Sequence, residues 1–277
     1  MSQIKKEMLL FFIIPFVVIT GCEGGKMTEK GAVFSSINTL SESQLNELSR
    51  KKIYFGHMSV GYNIVDGIND LIKENPRLKI NVIESKDPSS IVDPVFAHSA
   101  IGNNVDPKSK LADFVQLVES GMGQRVDIAF FKFCYVDVES STDVAELFKQ
   151  YKNAMSNLKR KYPKVTFVHV TVPLTIVQTG WKAHIKRILG KPLGGYADNV
   201  KRNEYNELLK KEYIEKEPVF DLAAFESTDP KEGRSYFTVN GRVYHSLFPS
   251  YTSDGGHLNE KARRLIAEQL LVFLAMI

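Results

Sequence analysis

Residues 127–133, Asp-Ile-Ala-Phe-Phe-Lys-Phe, form a nearly continuous apolar run. A strand of this composition is expected in a sheet covered on both faces, and that requires helices elsewhere in the chain. The flanking sequence supplies them. Lys52–Phe55 reads as a strand stopped by Gly56, and Val60–Glu74 places Ile64, Ile68 and Ile72 at helical spacing before Asn75-Pro76 ends it. Leu78–Ile83 reads as a second strand, and 109–120 as a helix with Leu111, Phe114, Val115 and Val118 inward. A helix over 143–162, a strand over 165–170, a helix over 199–214 and a short strand over 219–222 follow. A last helix runs from Leu258 to about Met276, and Ser41 with Gln44 is spaced as a capping box heading a short helix over 41–51. Strict alternation predicts an α/β fold, a three-layer α/β/α sandwich with a central parallel sheet of about five strands. Residues 173–198 and 226–253 do not fit the alternation. They are expected to pass over the C-terminal edge of the strands, where such folds bind ligands.

The N-terminus carries a different signal. Lys5 and Lys6 precede an apolar run from Met8 to Ile19, and small residues rather than a stop-transfer cluster follow it. The layout predicts a signal peptide over residues 1–21. The run ends in Ile19-Thr20-Gly21-Cys22, which resembles the lipobox of bacterial lipoproteins. That resemblance implies a lipidated Cys22 and residence in the cell envelope, on the periplasmic or extracellular side of a bacterial membrane. Ordinary secretion with an incidental Cys22 is the competing reading. Residues 22–40 are then the lipidated cysteine and a flexible tether, and 41–277 one domain.

Composition narrows the partners. The formal charge is +4, with acidic and basic residues interspersed. The main basic cluster, Lys182, Lys186, Arg187 and Lys191, reads as a solvated loop face, so no nucleic-acid partner is expected. Cys134 is the one cysteine besides Cys22, so a lipidated monomer has no intramolecular disulfide available. No Cys/His cluster has zinc-ligand spacing and no glycine-rich loop matches a phosphate cradle; neither a metal nor a nucleotide cofactor is expected.

Two stretches carry chemistry. In Phe55-Gly56-His57-Met58-Ser59-Val60-Gly61, a strand, a glycine, a serine and a helix succeed one another. Such an order lifts a hydroxyl to the sheet edge and sets it at a helix N-terminus, whose amides favour negative charge. Taken alone, Ser59 reads more readily as an N-cap. In Asp254-Gly255-Gly256-His257, directly before the last helix, three-residue spacing across a glycine turn lets a carboxylate fix an imidazole tautomer. A turn aspartate and a surface histidine are the plainer alternative.

Together the two stretches resemble the SGNH/GDSL hydrolases, specifically a lipoprotein branch with a Gly-His-x-Ser nucleophile block in place of Gly-Asp-Ser. The resemblance runs from about Lys52 to the C-terminus and implies the SGNH-hydrolase (flavodoxin-like) form of the sandwich. It implies Ser59 as nucleophile, His257 as general base and Asp254 as its orienting partner. It also implies an oxyanion donor from the Gly102 amide in Ala100-Ile101-Gly102-Asn103-Asn104. The family's asparagine donor falls on Val136 of Cys134-Tyr135-Val136-Asp137, which has no side-chain donor. Asn103, Asn104 or the Ser59 amide is expected to stand in, at roughly 3–4 kcal/mol per donor in acyl transfer. His57, His98, Tyr135 and Asp137 are candidates for lining the pocket. Cys134 reads as core, Lys132 as a strand-end residue that snorkels, and His169 as a hydrogen-bonded core residue.

The implied activity is that of a lipid-anchored serine esterase taking an acyl group, such as acetyl, from a glycan or other envelope ester. An O-acyltransferase using the same three residues is an alternative. So is a non-catalytic glycan-binding or envelope-assembly protein on the same fold.

Overall fold

The computed structural model describes residues 31–178 and 193–277, with Trp181, Ile185, Ile188 and Leu189 between them. The expected signal peptide, Cys22 and the basic residues Lys182, Lys186, Arg187 and Lys191 lie outside the described residues.

The central sheet contains β1 (Lys52–His57), β2 (Val82–Glu84), β3 (Val95–Ala100), β4 (Ile128–Phe131), β5 (Thr166–Val170) and β6 (Val219–Phe220). Its order is β2-β3-β1-β4-β5-β6, and every pairing is parallel. This is one strand more than expected. The strand expected over 78–83 shrinks to β2 at the edge, and β3 inserts between it and β1. His98 and Ser99 interrupt the apolar pattern of β3, yet both are buried. They are satisfied inside the fold: His57 Nε2 lies 3.0 Å from His98 Nδ1, and the Tyr54 hydroxyl 2.7 Å from Ser99 Oγ.

One helical layer holds α1 (Glu42–Arg50) and α2 (Val60–Glu74), and the other holds α3 (Pro107–Glu119), α4 (Val144–Lys161) and α5 (Tyr196–Tyr213). The terminal helix α7 (Glu260–Leu274) packs on α2 in the first layer, after the short α6 (Leu222–Ser227). Ile64, Val65 and Ile68 of α2 meet Ile266, Ala267 and Leu270 of α7 in one apolar cluster with the sheet. The capping box at Ser41 and Gln44 forms as the spacing predicts.

The described parts of both excursions meet where the strands end. The Leu174 amide, beyond β5, donates to Glu226 Oε2 of α6 at 2.9 Å, and the Ile176 amide donates to the Gly255 carbonyl at 2.9 Å. The second excursion folds into two small hairpins, β7 (Thr228–Asp229) with β8 (Gly233–Arg234) and β9 (Tyr236–Val239) with β10 (Arg242–His245).

Packing begins ahead of residue 41. The Ala32 amide donates to Thr228 Oγ1, the Ser35 amide to Gln269 Oε1, and the Ile37 amide to the Glu268 carboxylate. Ile37 and Leu40 are both buried. Two lone apolar residues among Ser, Asn and Thr give no periodic signal, so the sequence shows no element here. Among the described residues, no helix is long and apolar enough to cross a membrane.

Candidate active site

β1 ends in His57, α2 begins at Val60, and Ser59 forms the elbow between them. Its backbone has φ 54° and ψ −113°, a region that a residue with a Cβ occupies only at a cost of about 1–3 kcal/mol. Its side chain makes no capping hydrogen bond. The hydroxyl instead lies 2.6 Å from His257 Nε2.

The histidine is set from its other side. His257 Nδ1 lies 2.6 Å from Asp254 Oδ2. Asp254 Oδ1 accepts from the Gly256 amide at 3.0 Å, the His257 amide at 2.9 Å and the Thr252 hydroxyl at 3.1 Å. The Gly256 amide first, and then His257, hold the Asp254 carboxyl well below the usual carboxylate range. An ionised Asp254 requires Nδ1 to carry the imidazole proton, so Nε2 presents a lone pair and Ser59 donates to it. The Leu258 amide donates to Asn63 Oδ1 at 3.2 Å, tying the histidine loop to α2. The side chains of His257 and Asp254 are 43% and 55% exposed, so the relay lies open at the sheet edge.

Other residues expected at the site are used elsewhere. The Gly102 amide donates to Asp113 Oδ2 at 2.9 Å, so it is engaged away from Ser59. The Asn103 amide donates to Ser109 Oγ. Asn104 Oδ1 accepts from Lys110 Nζ, which also pairs with Asp137 at 2.6 Å; both charged side chains of that pair are fully buried. Asp137 further accepts from the Val105 and Cys134 amides. It therefore joins the 102–106 loop to the turn after β4 instead of lining a pocket. The assignment of Gly102 as an oxyanion donor is corrected for a physical reason: its amide hydrogen is already engaged by Asp113. Asn104 is held through its acceptor oxygen on Lys110.

His57 is corrected as well. It is fully buried, bonded to His98 and ringed by Phe55 and Tyr62. A Cβ at Gly61 would fall 2.3 Å from its own Cβ, so the glycine gives the imidazole its space. Burial first, and then the charge of Lys132, push its pKa far down, so it is neutral. Lys132 does not snorkel: it is buried, and its Nζ donates to the Phe133 carbonyl at 3.3 Å. Cys134 is core, and His169 bonds Tyr151 at 2.8 Å, as the sequence suggests.

Tyr135 does reach the site. Its ring meets the His257 imidazole edge-on at 5.7 Å, and Ser59 is among the groups that act on its phenol. A Cβ at Gly256 would fall 2.7 Å from Tyr135 Cζ. The second glycine of the Asp254–His257 turn thus makes room for the phenol. Arg202 of α5 donates to the Tyr135 carbonyl at 2.9 Å and to Thr175 Oγ1 at 2.8 Å.

No family model and no curated protein matches the sequence. Solved structures do match. A protein provisionally named a GDSL-like lipase, from Parabacteroides merdae ATCC 43184, aligns with TM-score 0.51 at 12% identity, over 83% of this chain and 99% of that one. A member of the lipolytic protein G-D-S-L family from Veillonella parvula DSM 2008 aligns with TM-score 0.42 at 17% identity, over 79% and 95%. The periplasmic domain of the Salmonella ser. Paratyphi A lipopolysaccharide acetyltransferase aligns with TM-score 0.45 at 10% identity, over 80% and 82%. The structural neighbours are consistently of GDSL/SGNH type, and at these identities the likeness is one of fold.

Proposed function

We propose that this protein is a serine ester hydrolase of the SGNH type, acting through an acyl-serine intermediate. The observation that carries the proposal is the continuous relay Asp254–His257–Ser59, closed by two hydrogen bonds of 2.6 Å. As Ser59 Oγ attacks an ester carbonyl, its proton passes to His257 Nε2, and Asp254 stabilises the imidazolium that forms. Collapse of the tetrahedral intermediate expels the alcohol, which takes the proton from His257. Water then attacks the acyl-serine by the same route and releases the acid.

An open relay suits an acyl group presented on a bulky carrier, and the N-terminal sequence suits export. We therefore place the substrate among O-acylated glycans or other envelope esters, with acetyl as the acyl group, and the protein on a lipid anchor at Cys22. Mass spectrometry of the mature protein tests the anchor: an unmodified Cys22 would rule it out. A fluorophosphonate is expected to label Ser59, and short acyl esters are expected to be cleaved, with both lost in Ser59→Ala. Wild-type protein that neither labels nor cleaves would favour a binding role on the same fold.

A further inference from the structure

Resting on that reading, we infer that the Tyr135 hydroxyl is an oxyanion donor, filling the place that Val136 and Gly102 leave open. Three observations carry the inference. The ring stands edge-on to the His257 imidazole at 5.7 Å, and Ser59 is among the groups that act on the phenol. Its position is fixed, since Arg202 holds the Tyr135 carbonyl and lies 5.7 Å from the ring, while Gly256 leaves the phenol its space. Of the donors expected from the sequence, the Gly102 amide is bound to Asp113, and Val136 at the family's asparagine position has no side-chain donor.

The chemistry is balanced without a proton leaving the tyrosine. Ser59 Oγ bonds to the acyl carbon, its proton goes to His257 Nε2, and the carbonyl π pair moves onto oxygen. That oxygen and Oγ are then neighbours on one carbon. A phenol standing beside the relay donates its hydrogen to the charge that develops there. Burial first, and then the charge of Asp254, raise the phenol pKa, so Tyr135 keeps its proton and remains a donor.

Tyr135→Phe keeps the ring that packs on Gly256 and removes the donor. On a model acetyl ester, kcat is expected to fall about 100- to 1,000-fold with KM little changed. Phenylboronic acid adds to a catalytic serine as a tetrahedral boronate, and its affinity is expected to fall steeply in the same variant. A variant that retains kcat within about threefold of an active wild type, with unchanged boronate affinity, overturns the role of Tyr135 alone. A wild type that is inactive and unlabelled at Ser59 overturns the underlying reading, and the inference with it. A crystal structure of the wild-type boronate adduct gives a check that needs no variant. A phenol oxygen within about 3.2 Å of a boronate oxygen supports the role, and one beyond about 3.5 Å defeats it.

Discussion

Ser59 combines a left-handed φ with a side chain that declines the cap its position offers. Glycine relieves that kind of strain at the cost of some chain entropy, whereas alanine keeps it. Ser59→Gly is therefore expected to be more stable than Ser59→Ala by about 1 kcal/mol in urea unfolding, although both lose the hydroxyl. Equal midpoints would show that the elbow is relaxed. Asp254 carries a second expectation. An asparagine there can still accept the Gly256 and His257 amides, but its NH2 would face Nδ1 and reverse the tautomer. Asp254→Asn should lower kcat by roughly 1,000- to 10,000-fold, comparable to the loss seen when such a carboxylate is neutralised in a Ser-His-Asp triad. A loss under tenfold would mean that another group orients the ring. Ser59, Asp254 and His257 were legible because glycines and element boundaries punctuate them. Tyr135 was visible only as a pocket candidate, since its part depends on Gly256 meeting it across the fold.

At the scale of elements, polar groups inside apolar layers explain what the pattern missed. β3 escaped notice because His98 and Ser99 look like surface residues until His57 and Tyr54 are seen to receive them. α6 was equally silent. It carries Glu226, fully buried, whose pKa burial pushes up to about 8 against the opposing Leu174 amide. The folded protein therefore holds a proton there that the unfolded chain, near its ordinary 4.5, has already released. The stability contributed is complete below about pH 4.5 and is lost progressively as pH rises through 8. Glu226→Gln keeps an acceptor for Leu174 and cannot ionise. The melting temperature of the variant relative to wild type is expected to climb from pH 5 to pH 8 and then level off. A difference that stays constant over that range would contradict the protonated glutamate. By contrast, α1, α2, α4 and β5 were legible almost to the residue, because apolar spacing and end signals agree in each.

For the molecule as a whole, alternation was sufficient to predict the three layers, and the sheet order adds what alternation cannot contain. The run from Ala32 to Leu40 is part of that whole. A chain beginning at residue 31 is expected to melt as the longer chain does. One beginning at residue 41 loses Ile37 and Leu40 from the core, each worth about 2–5 kcal/mol by analogy with large-to-small core substitutions. Calorimetry on the two truncations decides it; equal transitions would make the segment a passive wrapping.

Where this segment enters has a mechanical meaning. Gly31 stands against Thr228, whose carbonyl receives the Tyr251 hydroxyl, and the Tyr251 carbonyl in turn receives the Asn259 amide two residues beyond His257. The chain thus enters the fold at the rim that carries Ser59. With acyl chains on Cys22 as proposed, the leash from Cys22 to Gly31 stretches to about 30 Å at most. A leash that short, fastened beside the working rim, would keep Ser59 sweeping a thin shell over the bilayer. Esters held within that shell would meet it at a high effective concentration, and those held farther out would not meet it at all.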